Sequence, residues 1–118
     1  MSFYEDLKVY KKAKDMATYF EGIVRHFDRY NKYNLGADIR KLAREILVLI
    51  AKANTRRLRI ELLGKSIDKL EELKIILNLA KEAKAFNNFK SFEVSTKLVI
   101  EVLKQCEGWK EESEFPKR

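Results

Sequence analysis

The stretch Tyr33–Arg59, YNLGADIRKLAREILVLIAKANTRRLR, holds Arg40, Lys41, Arg44, Lys52, Arg56, Arg57 and Arg59 against only Asp38 and Glu45. Arg40 and Arg44 are one helical turn apart, with Lys41 beside them. The planar guanidinium fork matches the oxygens of a phosphate, and lysine adds a mobile point charge. A second block, Lys8, Lys11, Lys12 and Lys14, lies near the N-terminus. Contacts of this kind bind a nucleic-acid backbone without regard to sequence, and their affinity falls steeply with salt. The chemistry these residues support is therefore phosphate binding. The competing reading is a solubilising, solvated face.

Other chemistries lack their parts. His26 is the only histidine and Cys106 the only cysteine, too few for a His/Cys metal site. The Glu-x-x-His pairs of a di-iron bundle are absent. No G-x-S-x-G, P-loop or G-x-G-x-x-G occurs. His26 follows Arg25 near the end of the first predicted helix, where a cation suits the dipole. Cys106 falls on an apolar stripe and is expected to pack in the core. The expectation is a protein that is not an enzyme and takes no cofactor.

The 118 residues carry a net charge of +7, which points to an anionic partner. That length suits one domain with a single core. With one cysteine no internal disulfide can form, and a reducing cytoplasm is the default. The start, MSFYEDLKVYKK, is charged where a signal peptide needs an apolar run, and no stretch approaches the ~20 apolar residues of a membrane span. The chain is expected to be cytoplasmic, with no membrane partner. Four Gly are few, and the one Pro, Pro116, lies at the extreme C-terminus, so no proline interrupts the interior; this composition favours long helices.

The elements that must position these cations are helices. Phe3 to Phe27 carries Phe3, Leu7, Tyr10, Ala17, Phe20, Val24 and Phe27 at heptad-like steps. Gly22 lies within it, where a small residue would let a neighbouring helix approach. Asp28 to Asn34 is a polar connector, and Asn34 is placed to cap the next helix. That second helix runs to Asn54 or Thr55 on Leu35, Ile39, Leu42, Ile46, Leu49, Ile50 and Ala53. Its centre, Ile46 to Ala51, is apolar at six consecutive positions, so it must be covered on most sides. Asn54, Thr55 and the paired arginines mark either a reversal or a tight bend between two nearly contiguous helices.

The third helix spans about Arg57 to Ala85 on Leu63, Ile67, Leu70, Leu73, Leu77 and Ala80. Gly64 leaves open a start near Ser66. The fourth runs from about Ser91 to Trp109 on Phe92, Val99, Val102, Cys106 and Trp109. Residues 1–110 thus form one domain, and 111–118 a charged tail. The fold class is all-α, an up-down-up-down antiparallel four-helix bundle about 30 to 40 Å long. Apolar residues outside the stripes, such as Val9, Ile23, Ile75 and Val94, suggest a homo-oligomer.

The opening FYEDLKVYKKA resembles the start of bacterial four-helix-bundle proteins encoded in 23S rRNA intervening sequences. The remainder is similar to their relatives, the accessory variability determinant (Avd) proteins of diversity-generating retroelements. The matching pieces are Tyr33-Asn34-Leu35-Gly36, Ala51-Lys52-Ala53-Asn54, Leu73-Lys74-Ile75-Ile76-Leu77 with Leu79-Ala80, and Gly108-Trp109. They span most of residues 3–109. Two departures stand out: Lys74 where members often have arginine, and Glu107-Gly108 where they have a double glycine. The resemblance implies a bundle assembled as a barrel-like homopentamer that binds nucleic acid and associates with a reverse transcriptase.

The expected nucleic-acid-binding set is therefore Arg40, Lys41, Arg44, Arg56, Arg57, Arg59, Lys8, Lys11 and Lys12. Arg56, Arg57 and Arg59 are expected to be exposed at one end of the bundle, about 20 Å from Arg40 and Arg44. The alternative function is a structural or interaction protein of the intervening-sequence type, without nucleic-acid binding.

Overall fold

Heptad-like apolar spacing without interior proline yields four long helices in the computed structural model, which describes residues 4–115. Phe3 and Pro116 lie outside the described residues. The helices are α1 (Lys8–Val24), a single turn α2 (Arg29–Tyr33), α3 (Leu35–Lys52), α4 (Arg59–Glu82) and α5 (Phe89–Glu114). Short 3-10 turns, Tyr4–Asp6 and Arg56–Leu58, precede α1 and α4, and no strand occurs among the described residues.

Each long helix packs on two others: α1 on α3 and α5, and α4 on the same pair. Bonds between helices fix the directions. Tyr19 and Lys12 of α1 reach Ser91 and Glu101 of α5, so those two helices run antiparallel. The chain is an up-down-up-down antiparallel four-helix bundle measuring 51 × 21 × 20 Å.

The interior is apolar and close-packed. Met16, Phe20, Ile39, Ile46, Leu63, Leu70 and Val99 are fully buried, each side chain contributing about 1.5–3 kcal/mol by leaving water. Val9, expected outside the stripes, belongs to this core. Ser66 and Ser95 are also fully buried. Their hydroxyls donate one turn back, to the Leu62 and Ser91 carbonyls, so neither is left unsatisfied.

Several ends differ from expectation, each for a local reason. Extended backbone at Leu7 separates the opening 3-10 turn from α1, which starts at Lys8. The connector after α1 contains α2, capped by Asp28, whose carboxylate accepts from the Asn31 N–H at 3.2 Å. Asn34 stands at the start of α3 but does not cap it. Its amide donates to the Tyr30 carbonyl at 2.7 Å, serving an acceptor at the end of α2 that has no helical donor.

Gly22 has open space around it, so the expected close approach is not there. It occurs at Gly36, where an added Cβ would lie 2.6 Å from Val24 Cγ1. The helix α4 runs through Gly64 and ends in a Schellman turn: the Ala85 and Lys84 N–H groups donate to the Ala80 and Lys81 carbonyls. Lys84 there takes the left-handed conformation (φ 60°) usually left to glycine. Asn88 caps α5, accepting from the Ser91 N–H at 2.8 Å. The helix then continues to Glu114, past Trp109 and into the stretch expected to be tail, with an ion pair from Lys110 to Glu114 at 3.0 Å.

The run Ile46–Ala51 is covered on only part of its circumference. Ile46 and Ile50 are buried, Leu47, Leu49 and Ala51 half-buried, and Val48 is 50% exposed.

Candidate nucleic-acid interface

The antiparallel arrangement brings the start of α1, the end of α3, the turn before α4 and the end of α5 to one end of the bundle. Lys8 and Lys11 of α1 and Arg56 and Arg57 of the turn are all exposed there. None of these four has an ion-pair partner among the described residues, so their charges face solvent.

The other predicted cations are differently placed. Arg40 is half-buried against Glu21 of α1. Its Nη2 donates to the Glu21 carbonyl at 3.0 Å, and its Nε stands 3.1 Å from the carboxylate without hydrogen-bond geometry. Arg44 Nε donates to the other oxygen of that carboxylate at 2.7 Å but leaves much of its side chain in water. One glutamate thus holds both arginines and ties α1 to α3. Lys41 points outward from α3, exposed and unpaired among the described residues. Lys12 is engaged with Glu101 of α5 at 3.0 Å, and this pairing holds the Glu101 carboxyl below its ordinary range.

Arg59 is half-buried, which corrects the expectation that it is exposed. Its Nε donates to the Ala53 carbonyl and its Nη2 to the Asn54 carbonyl, both at 3.0 Å. These acceptors belong to the residues that close α3, where helical donors run out. The guanidinium carbon also sits 4.8 Å from the centre of the Trp109 ring. Arg59 therefore fastens three elements together, and its geometry leaves little for a phosphate.

A groove of about 870 Å³ opens beside it, lined by Arg56, Ile60, Trp109, Phe115, Glu111 and Glu112 among others. Its walls carry both signs of charge, Arg56 and Arg59 beside Glu111 and Glu112, and Arg57 lies outside it.

Sequence reasoning missed a group at the opposite end. Tyr30 and Tyr33 of α2 are 67% and 70% exposed, beside exposed Arg29. The signal was the alternation of cations and aromatics in RYNKY, which the connector reading passed over.

Cys106 is buried, and burial, with a smaller contribution from the nearby Glu107 charge, pushes its thiol up to about 12. It is a core residue held in the unreactive protonated form. His26 is exposed in the turn after α1. Among the described residues no group of three or more His, Cys, Asp or Glu could hold a metal ion, and no helix is long and apolar enough to cross a membrane. No protein-family model matches this chain, and no curated protein matches its sequence.

Proposed function

We propose that this chain is a non-enzymatic, cytoplasmic accessory protein that binds RNA or DNA through a basic surface repeated around a homo-oligomer. The reading includes a reverse transcriptase of a diversity-generating retroelement as its protein partner. That partner, and the number five for the assembly, rest on the resemblance to the Avd proteins. The nucleic-acid half is carried by one observation: Lys8, Lys11, Arg56 and Arg57 gather at one end, exposed and without internal partners. Cations already paired inside the protein release no phosphate counterions, whereas these can. Repetition around an oligomer multiplies the affinity of each phosphate interaction.

The test is binding of unrelated single- and double-stranded oligonucleotides across a salt series. The double variant Arg56→Ala/Arg57→Ala is expected to weaken binding to all of them alike. Its log–log salt slope should be shallower by about 0.9 for each duplex phosphate that is no longer neutralised. Co-purification with a reverse transcriptase, with and without nuclease, tests the protein partner. The second reading is an interaction protein of the intervening-sequence type without nucleic-acid binding. The internal engagement of Arg40, Arg44, Lys12 and Arg59 favours it. Absence of binding even at low salt would decide for it.

A further inference from the structure

The outward faces of α3 and α4 carry opposite charge around exposed apolar side chains. On α3 the outer face holds Lys41, Arg44, Val48 and Lys52, all exposed, with Val48 half in water. On α4 it holds Glu61, Lys65, Asp68, Glu72, Ile75 and Leu79, spaced as one helical stripe in which three carboxylates outnumber one lysine. Ile75 and Leu79 are 70% and 55% exposed. Lys41, Lys52, Asp68 and Glu72 have no ion-pair partner among the described residues. Glu61 has only a loose ion pair, 3.8 Å, with Lys65 one turn on.

We propose that the α3 face of one copy docks on the α4 face of the next, closing a ring of identical chains. It rests on the assembly half of the reading above and is independent of nucleic-acid binding. Three observations carry it. The first is the sign: the α3 face carries Lys41, Arg44 and Lys52, and the α4 face is acidic on balance, Glu61, Asp68 and Glu72 against Lys65, so two copies of the same face repel and a two-fold dimer through either is disfavoured.

The second is register. Within one chain Glu45 pairs with Lys69 at 3.5 Å, and Arg59 reaches Ala53 at 3.0 Å. These bonds set which positions of α3 and α4 share a height along the bundle. By them Lys41 stands within a residue of Glu72, Arg44 close to Asp68, and Lys52 within a residue of Glu61. A closed ring about an axis parallel to the bundle keeps every copy at one height. Neighbouring α3 and α4 then run antiparallel, and each lysine meets the glutamate at its own level. Ile75 and Leu79 fall beside the first turns of α3, where Ala37 is small and exposed.

The third is direction. The helices α3 and α4 are adjacent corners of the bundle, so their outward faces diverge by about a quarter turn. A heterologous interface between such faces rotates each copy relative to the last and closes, instead of growing as a straight filament.

The experiment uses the whole chain, nuclease-treated, in size-exclusion chromatography with light scattering over a micromolar dilution series. The native chain is expected to be a closed multimer. Lys41→Glu/Lys52→Glu and Glu61→Lys/Glu72→Lys should each raise the concentration for half-assembly about tenfold or more, since attraction becomes repulsion. The chain carrying all four substitutions should reassemble. Circular dichroism should stay unchanged, because all four side chains are exposed. A monomeric native chain overturns assembly and this inference together. A native multimer whose two reversal variants assemble normally overturns the assigned faces and leaves assembly standing. Dissociated variants that the four-fold exchange does not restore overturn the pairing of α3 with α4.

Discussion

Replacing Arg59 by alanine separates structural from binding roles among the arginines of the α3–α4 turn. The side chain makes two charge-assisted hydrogen bonds, each 3.0 Å, to the Ala53 and Asn54 carbonyls, and stacks 4.8 Å from the Trp109 ring centre. A hydrogen bond from a charged group is worth about 1.5–3 kcal/mol net, and half-exposure puts these at or below the lower end, about 1 kcal/mol each. The cation–π interaction adds about 0.5–1 kcal/mol. Arg59→Ala should therefore cost about 2–3 kcal/mol of a total stability of about 5–15 kcal/mol. For a chain of this size 1 kcal/mol moves the melting temperature by about 4 °C, so the expected loss is about 8–12 °C.

Arg59→Lys should recover less than half, because one ammonium cannot span both carbonyls while lying over the indole. Arg56→Ala and Arg57→Ala should stay within about 0.5 kcal/mol of the native chain, as exposed, unpaired residues do. Thermal and urea unfolding followed by circular dichroism reads all four variants. Were Arg59→Ala to melt within about 2 °C of the native protein, these bonds would be solvated decoration and the capping argument would fail.

Gly36→Ala should destabilise by about 1–3 kcal/mol, because the new methyl meets Val24 Cγ1 at 2.6 Å and that stiff, fully buried side chain cannot turn away. Gly22→Ala, in a helix with nothing within 4 Å, should stabilise by about 0.5–1 kcal/mol; equal effects in calorimetry would refute the packing at Gly36. Glu101 has a depressed folded pKa, so the stability it contributes is present above its unfolded value and lost as pH falls through the folded one. Lys12→Ala should return the Glu101 carboxyl to the ordinary glutamate range in an NMR titration, and no movement would show that the ion pair does not form in solution.

The fold was legible because apolar spacing reports which residues face inward. Leu63, Leu70, Leu73, Leu77 and Ala80, and Val99, Val102 and Cys106, are buried as their periodicity implies. Ends were less legible, since they depend on local hydrogen bonds. The Schellman stop at Lys84 has no glycine to announce it, and α2 is too short to show a period. For the cations the limit was different in kind. Spacing placed Arg40 and Arg44 on one face of a helix, but only tertiary packing could bring Glu21, some twenty positions earlier, against both. Likewise nothing near Arg59 in sequence reveals that Trp109 will lie beneath it.

The 25 Lys and Arg therefore overstate what an anion can meet, because the cations divide among different tasks. Arg40 holds α1 to α3, Lys12 holds α1 to α5, and Arg59 closes α3 against the end of α5. Each is worth more inside the protein, where water is partly excluded, than at a screened surface. In the proposed ring Lys41 and Lys52 would face acidic groups of the next copy. Exposed cations without an ion-pair partner among the described residues remain in several places, Arg25 and Arg29 at one end among them, and the proposed function assigns binding to Lys8, Lys11, Arg56 and Arg57 at the other. Any salt-dependent binding should then track that end of the bundle and be nearly indifferent to Lys41 once assembly is held constant. A basic chain can thus carry its binding surface in a few residues while other cations, Arg40, Lys12 and Arg59 among them, hold together the structure that repeats them.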